Sequence, residues 1–201
     1  MFLSKKNLTR TTLDSSKITA GVSPCKSFND LTSKELLQNA KHIIVGTLTP
    51  KSGRDAGYFY CSDSANQRQF SIIDTWKEDG ISLNQKRKDL IKYPNNETII
   101  KSINEILFKR RLAFLDVVKD AIAPDNDPSD DSIVEYILDK EIFLNIYQNN
   151  PNIVFIANSK NAKMALDFIF GSKKPHIELI PQNPRSIKGG LKEINRLYKS
   201  L

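Results

Sequence analysis

The side chains best suited to chemistry fall in one stretch, Ile43–Phe70. Thr47 and Thr49 offer hydroxyls, Asp63 a carboxylate, Asn66 a carboxamide and Arg68 a cation, with aromatic rings at Tyr58, Phe59, Tyr60 and Phe70. Asp116 interrupts an apolar run, Asn158-Ser159 closes another, and Pro181–Arg185 follows a third. Amides, hydroxyls, stacking rings and basic flanks suit a planar, hydrogen-bonding ligand next to a phosphate chain. Other chemistries lack their parts. No GxGxxG or GxxxxGK[ST] follows a strand, so a glycine-built phosphate cradle is absent. No GxSxG elbow occurs, and His42 and His176 sit at strand starts, the wrong end for a triad. The HxE and PCxxC pattern of zinc deaminases is missing.

These residues need a scaffold, and the apolar periodicity supplies one. HIIVGTL (His42–Leu48), LAFLDVV (Leu112–Val118), NIVFIA (Asn152–Ala157) and HIELIP (His176–Pro181) read as four buried strands. LTSKELLQNA (Leu31–Ala40), ETIIKSINEILFKRR (Glu97–Arg111), KNAKMALDFIF (Lys160–Phe170) and GLKEINRLYKSL (Gly190–Leu201) read as helices, the third stopped by Gly171. A further helix is expected from near Ala65, carrying Phe70, Ile72, Ile73 and Trp76 inward, and another over Ile133–Gln148, broken near Lys140. Residues 51–70 read as a loop too polar for core, Ile81–Asn96 as a basic insertion, and Ala123–Ser132 as an acidic loop. Alternating strands and helices predict an α/β fold, a three-layer α/β/α sandwich around a mostly parallel four-stranded sheet. Right-handed crossovers then gather the four strand ends at one edge. The division is an arm, 1–30, and a single domain, 31–201.

Composition sets the class. Of 201 residues, 39% are hydrophobic and 26% charged, which fits a soluble globular chain. No apolar run reaches the roughly 18–20 residues of a membrane span. MFLSKKNLTR has no signal-peptide core, so a cytoplasmic monomer is expected, associated with the nucleoid if the source is bacterial. The net charge of +7 favours a polyanionic partner such as DNA, with basic runs at Lys86–Lys88, Lys109–Arg111, Lys173–Lys174 and Lys188 to Lys199. Cys25 and Cys61 have no metal-ligand spacing, so neither a zinc site nor a disulfide is expected, and Cys61 reads as a packing residue.

Taken in order, the motifs resemble the uracil-DNA glycosylase superfamily, nearest its mismatch-specific and hypoxanthine-type branches. Gly46-Thr47-Leu48-Thr49-Pro50, Tyr58-Phe59-Tyr60 and Phe70 are similar to the GT-x-P, YY and N-x-F-W elements. Leu115–Val118, Ser129-Asp130 with Ile133, Ala157–Ala162 and Ile180–Arg185 are similar to its later motifs. The resemblance spans Ile43 to Arg185. It implies the same three-layer fold and a DNA glycosylase that flips out and hydrolyses a damaged, deaminated or modified base, without metal or cofactor. Phe70 would stack on the base, with Tyr60 and Thr49 beside it and Asn158 facing its edge, unless Asn158 caps the next helix. Thr47 would place the attacking water. Pro181, Gln182, Asn183, Arg185, Arg68 and Ser159 would contact DNA. The family's water-activating Asp or Asn has no counterpart within GTLTP, which leaves Asn66, Asp63 and Asp116 as candidates. Asp116 also reads as a strand-end carboxylate that accepts loop N–H bonds. Two cysteines cannot bind an iron–sulfur cluster. Two other readings stand beside this one: a catalytically weak or inactive nucleic-acid or nucleotide binder of the same fold, and an unrelated α/β enzyme acting on a small molecule.

Overall fold

The computed structural model describes residues 8–49, 51–61, 70, 74, 80–125, 132–173 and 175–179. Pro50, Asp63, Asn66, Arg68, Ser129-Asp130, the closing loop Pro181–Arg185 and the helix expected over 190–201 lie outside the described residues, as does most of the helix expected from Ala65.

The central sheet is α/β in character and entirely parallel: β2 (His42–Gly46), β3 (Leu112–Asp116), β6 (Val154–Ala157) and β7 (His176–Leu179), in the order β3-β2-β6-β7. Every residue of β2 and β3 is buried, which is why both read as unbroken apolar runs. Helices flank the sheet as a three-layer sandwich. One layer groups α1 (Lys34–Asn39), α3 (Leu83–Lys92) and α4 (Glu97–Lys109); the other pairs α5 (Lys140–Asn149) with α6 (Lys160–Phe170). The first layer is capped as its sequence requires. Ser33 Oγ accepts from the Leu36 N–H and Asn96 Oδ1 from the Ile99 N–H, both at 3.1 Å. Under the second layer, Phe143, Phe155 and Phe170 form a ring-on-ring row.

A second, antiparallel sheet departs from the expectation of four strands. It consists of β1 (Val22–Lys26), β4 (Val118–Pro124) and β5 (Glu135–Leu138), in the order β1-β4-β5. Part of the expected arm is therefore sheet. Pro24 is tolerated because β1 is an edge strand. The segment ahead of β1 is tied down by Glu135. This buried carboxylate accepts from the Asp14 N–H at 2.6 Å and from Lys17 Nζ at 3.2 Å, and it pairs with Arg10.

Ile133–Gln148 is strand β5 followed by α5, not one helix. Pairing with β4 overrides helical periodicity where Tyr136 and Leu138 are buried. Ile81–Asn96 contains α3 instead of an irregular insertion. Ser82 Oγ accepts from the Gln85 N–H at 3.1 Å. The Asp74 carboxylate accepts from the N–H groups of Leu83 and Asn84 at 2.6 and 2.9 Å, a negative charge set against a helix N-terminus.

His42 marks the opposite, N-terminal edge of the sheet. Burial, helped by Lys41, His176 and Arg111, pushes its imidazole from 6.5 down to about 4. The unfolded chain therefore takes up a proton that the folded chain refuses. Stability is full above pH 6.5 and falls as the pH drops toward 4. Urea unfolding is expected to show a loss of about 2 kcal/mol across that window, discounted for partial solvation. His42→Gln should flatten this slope; an unchanged slope would assign it to other groups.

Candidate functional site

β2 and β3 pair in register, so Gly46 lies level with Asp116, while Val45 lies level with Ala157 of β6. The chain leaves all three strands at this C-terminal edge, where open parallel sheets carry ligands. The N–H groups of Val117 and Val118 donate to the Gly46 and Thr47 carbonyls at 2.9 and 3.0 Å, and that of Asn158 donates to Val45 at 2.9 Å. Thr47–Thr49, Asp116 and Asn158-Ser159 are thereby brought together.

Asp116 is the centre of this edge and has no exposed surface. Its Oδ2 accepts from the Thr49 N–H at 2.9 Å and the Thr49 hydroxyl at 2.8 Å. Its Oδ1 accepts from the Tyr60 hydroxyl at 2.8 Å. A buried carboxylate stays ionised at low cost only when donors surround it in this way. This is the geometry of a brace that holds the post-strand loop. Of the two readings open for Asp116, these bonds match the strand-end carboxylate that accepts from a neighbouring loop.

Tyr60 reaches Asp116 because residue 46 is glycine. A Cβ there would lie 2.0 Å from the Tyr60 hydroxyl oxygen. Tyr60 itself sits at φ +52°, a left-handed conformation that costs a bulky side chain roughly 1–3 kcal/mol. The loop holds this strain through the bond to Asp116 and through ring packing. Tyr60 meets Phe114 edge-on with centroids 5.6 Å apart, and Phe114 lies two residues before Asp116 on the same face of β3.

The described part of the loop after β2 is more regular and more buried than its composition suggests. Lys51–Ala56 forms a short helix, α2. Tyr58, Phe59, Tyr60 and Cys61 all belong to the core, and the Tyr58 hydroxyl donates to Asn104 Oδ1 at 2.5 Å. Burial pushes the Cys61 thiol up to about 12, so it remains an unreactive thiol. Phe70 is also buried, with its ring 5.4 Å from that of Phe114. To stack on a base it would first have to lose the groups that cover it.

On the β6 side, the Thr47 and Ser159 hydroxyls share a hydrogen bond of 3.1 Å. Ser159 Oγ accepts from the Ala162 N–H at 3.0 Å. The helix cap considered for Asn158 is therefore made by its neighbour. Asn158 is half-buried, and its carboxamide has no hydrogen-bond partner among the described residues.

Two residues of the site were not expected. Asn29 is buried and clamps the Asp116 backbone from both sides. Its Oδ1 accepts from the Asp116 N–H at 2.8 Å, and its Nδ2 donates to the Asp116 carbonyl and to Asp139 Oδ2, each at 2.9 Å. Nothing in the sequence announces a contact across so many residues. Arg54 of α2 donates from Nη1 to the Thr49 carbonyl at 3.3 Å. It also lies close enough to Cys25 to oppose the upward shift that burial gives that thiol. It pairs with no carboxylate among the described residues. Its place in the loop directly after β2 was the available signal.

Among the described residues, no three His, Cys, Asp or Glu side chains cluster as a metal site would need, and no helix is long and apolar enough to cross a membrane. The site thus defines an α/β sandwich whose sheet edge carries hydroxyls, a carboxamide and a guanidinium around a buried brace. No family model, curated protein or solved structure matches this chain.

Proposed function

We propose that this chain is a DNA glycosylase-like protein that takes a damaged, deaminated or modified base at the C-terminal edge of its parallel sheet and hydrolyses its N-glycosidic bond, working as a monomer. The observation that carries this reading is the Asn158 carboxamide, unpartnered among the described residues, beside the Thr47–Ser159 hydroxyl pair. One amide both donates and accepts, which matches the edge of a nucleobase. Arg54 adds a cation for a phosphate at the same edge, and the ordered motifs from Gly46 to Arg185 agree with it. In the reaction, Asn158 would hold the base while charge develops on it, and Thr47 would orient a water toward the sugar.

The test is incubation with oligonucleotides containing uracil, hypoxanthine, xanthine or modified cytosines, followed by alkali cleavage. An abasic product is expected from at least one of them. Asn158→Ala should reduce its rate about 100-fold. Arg54→Ala should weaken binding to every sequence alike and lower the salt slope by about one.

A specific observation favours a second reading, binding without hydrolysis. Asp116 is committed to Thr49 and Tyr60, and Phe70 is covered. Salt-dependent binding with no product from any oligonucleotide would establish this reading over the first.

A further inference from the structure

Away from the sheet edge, α1 and α4 leave an open groove of about 700 Å³ between them. Its floor is apolar, with Leu31, Leu36, Ile100 and Phe108, the last 38% exposed. Its rim carries four carboxylates, Asp30, Glu35, Glu97 and Glu105, against two ammonium groups, Lys101 and Lys109. The lining is net negative in a chain of net charge +7. Helix starts account for Glu35 and Glu97, each in a first turn. Glu105, in the middle of α4, has no such reason. None of the four carboxylates forms an ion pair among the described residues, although Glu97, Lys101, Glu105 and Lys109 are spaced for it.

We infer that this groove docks a cationic amphipathic helix of a partner protein, with apolar side chains between α1 and α4 and Lys or Arg against the carboxylates. Two packed helices with an apolar trough between them are a common receptor for a third helix. The sign of the rim selects the partner. Phosphate is repelled here, so this face is distinct from the edge proposed for DNA. A polycationic flank is attracted and steered. The inference does not depend on the glycosylase reading.

Fluorescence anisotropy with two labelled amphipathic helical peptides, one built on Leu and Lys and one on Leu and Glu, tests it. The Lys peptide is expected to bind and the Glu peptide not to. Reversing three exposed charges together, Glu35→Lys, Glu97→Lys and Glu105→Lys, should weaken the Lys peptide at least about tenfold. Asp167→Lys on α6 should leave its binding unchanged. In the unaltered protein, amide shifts should move at Ile100, Asn104 and Phe108. The inference is overturned if both peptides bind alike, if the triple reversal changes nothing, or if the shifts move at Asn158 instead. It is also overturned if sedimentation shows self-association that the triple reversal abolishes, since the occupant is then a second copy.

Discussion

Asp116→Ala is expected to lower the melting temperature by roughly 10 °C and, on the function proposed above, to remove nucleic-acid binding with it. The Thr49 N–H and the Thr49 hydroxyl lose their acceptor in a site with no exposed surface, and the Tyr60 hydroxyl keeps only the longer bond to the Leu115 carbonyl. Leaving such donors unpaired costs about 3–5 kcal/mol in total, and a chain of this length loses about 2–4 °C per kcal/mol. Asp116→Asn keeps the shape and one acceptor but turns an N–H toward a donor, so an intermediate loss of about 2 kcal/mol is expected. The comparison separates two roles. A positioning residue loses stability and function in proportion across both variants. If Asp116→Asn melted like the parent while cleavage disappeared, Asp116 would be acting on water and the brace would be the wrong description.

The same residue shows what the sequence could and could not disclose. A carboxylate ending LAFLD could be read as a strand-end group, because β3 is buried on both faces and the four residues before Asp116 are apolar. His42–Gly46 and most of Val154–Ala157 were legible for the same reason, whereas His176–Leu179 is an edge strand with no fully buried residue. The antiparallel sheet was not legible. Its strands β1 and β4 are only partly buried, so no unbroken apolar run marks them, and each is held by a partner outside its own stretch, such as Pro24 opposite Ile122 and Ile122 opposite Glu135. The polar loop after β2 misled for a different reason. Lys51–Ala56 is helical, and Tyr58–Cys61 turns inward to pack on Phe114 and α4. A polar average over Lys51–Phe70 hides four consecutive core residues.

Asn29 and Arg54 mark the limit on the functional side. Asn29 holds both backbone groups of Asp116 and Arg54 the carbonyl of Thr49, and neither residue type nor local spacing predicts such contacts. Ser159 is the reverse case: the hydroxyl that caps α6 is next to the amide for which that cap was one of two readings. A shift of one residue decides which side chain is left unpartnered for a ligand. In the reading proposed above, that residue is Asn158, with Ser159 as its neighbour in the cap.

Gly46→Ala is expected to be as damaging as the loss of the carboxylate. The added methyl would meet the Tyr60 hydroxyl oxygen at 2.0 Å and two ring carbons at 2.7 Å. A side-chain terminus can usually swing aside, but this ring is confined by Phe59 and Phe114 and tethered to Asp116. The backbone of residue 46 is no freer, being paired in β2 and bonded to Val117. The ring must leave, and with it goes one donor to the buried carboxylate, a loss of about 3 kcal/mol in all. Tyr60→Phe alone should cost about 1–2 kcal/mol through the missing hydroxyl. The double variant Gly46→Ala/Tyr60→Phe should then be more stable than the two losses added together, by about 1 kcal/mol or more, since the closest overlap is gone while the ring carbons still crowd the methyl. Urea unfolding of the four proteins measures that coupling. Strict additivity would mean that Gly46 is needed for a reason other than admitting Tyr60 to Asp116, and the central brace of the site would have to be rebuilt without it.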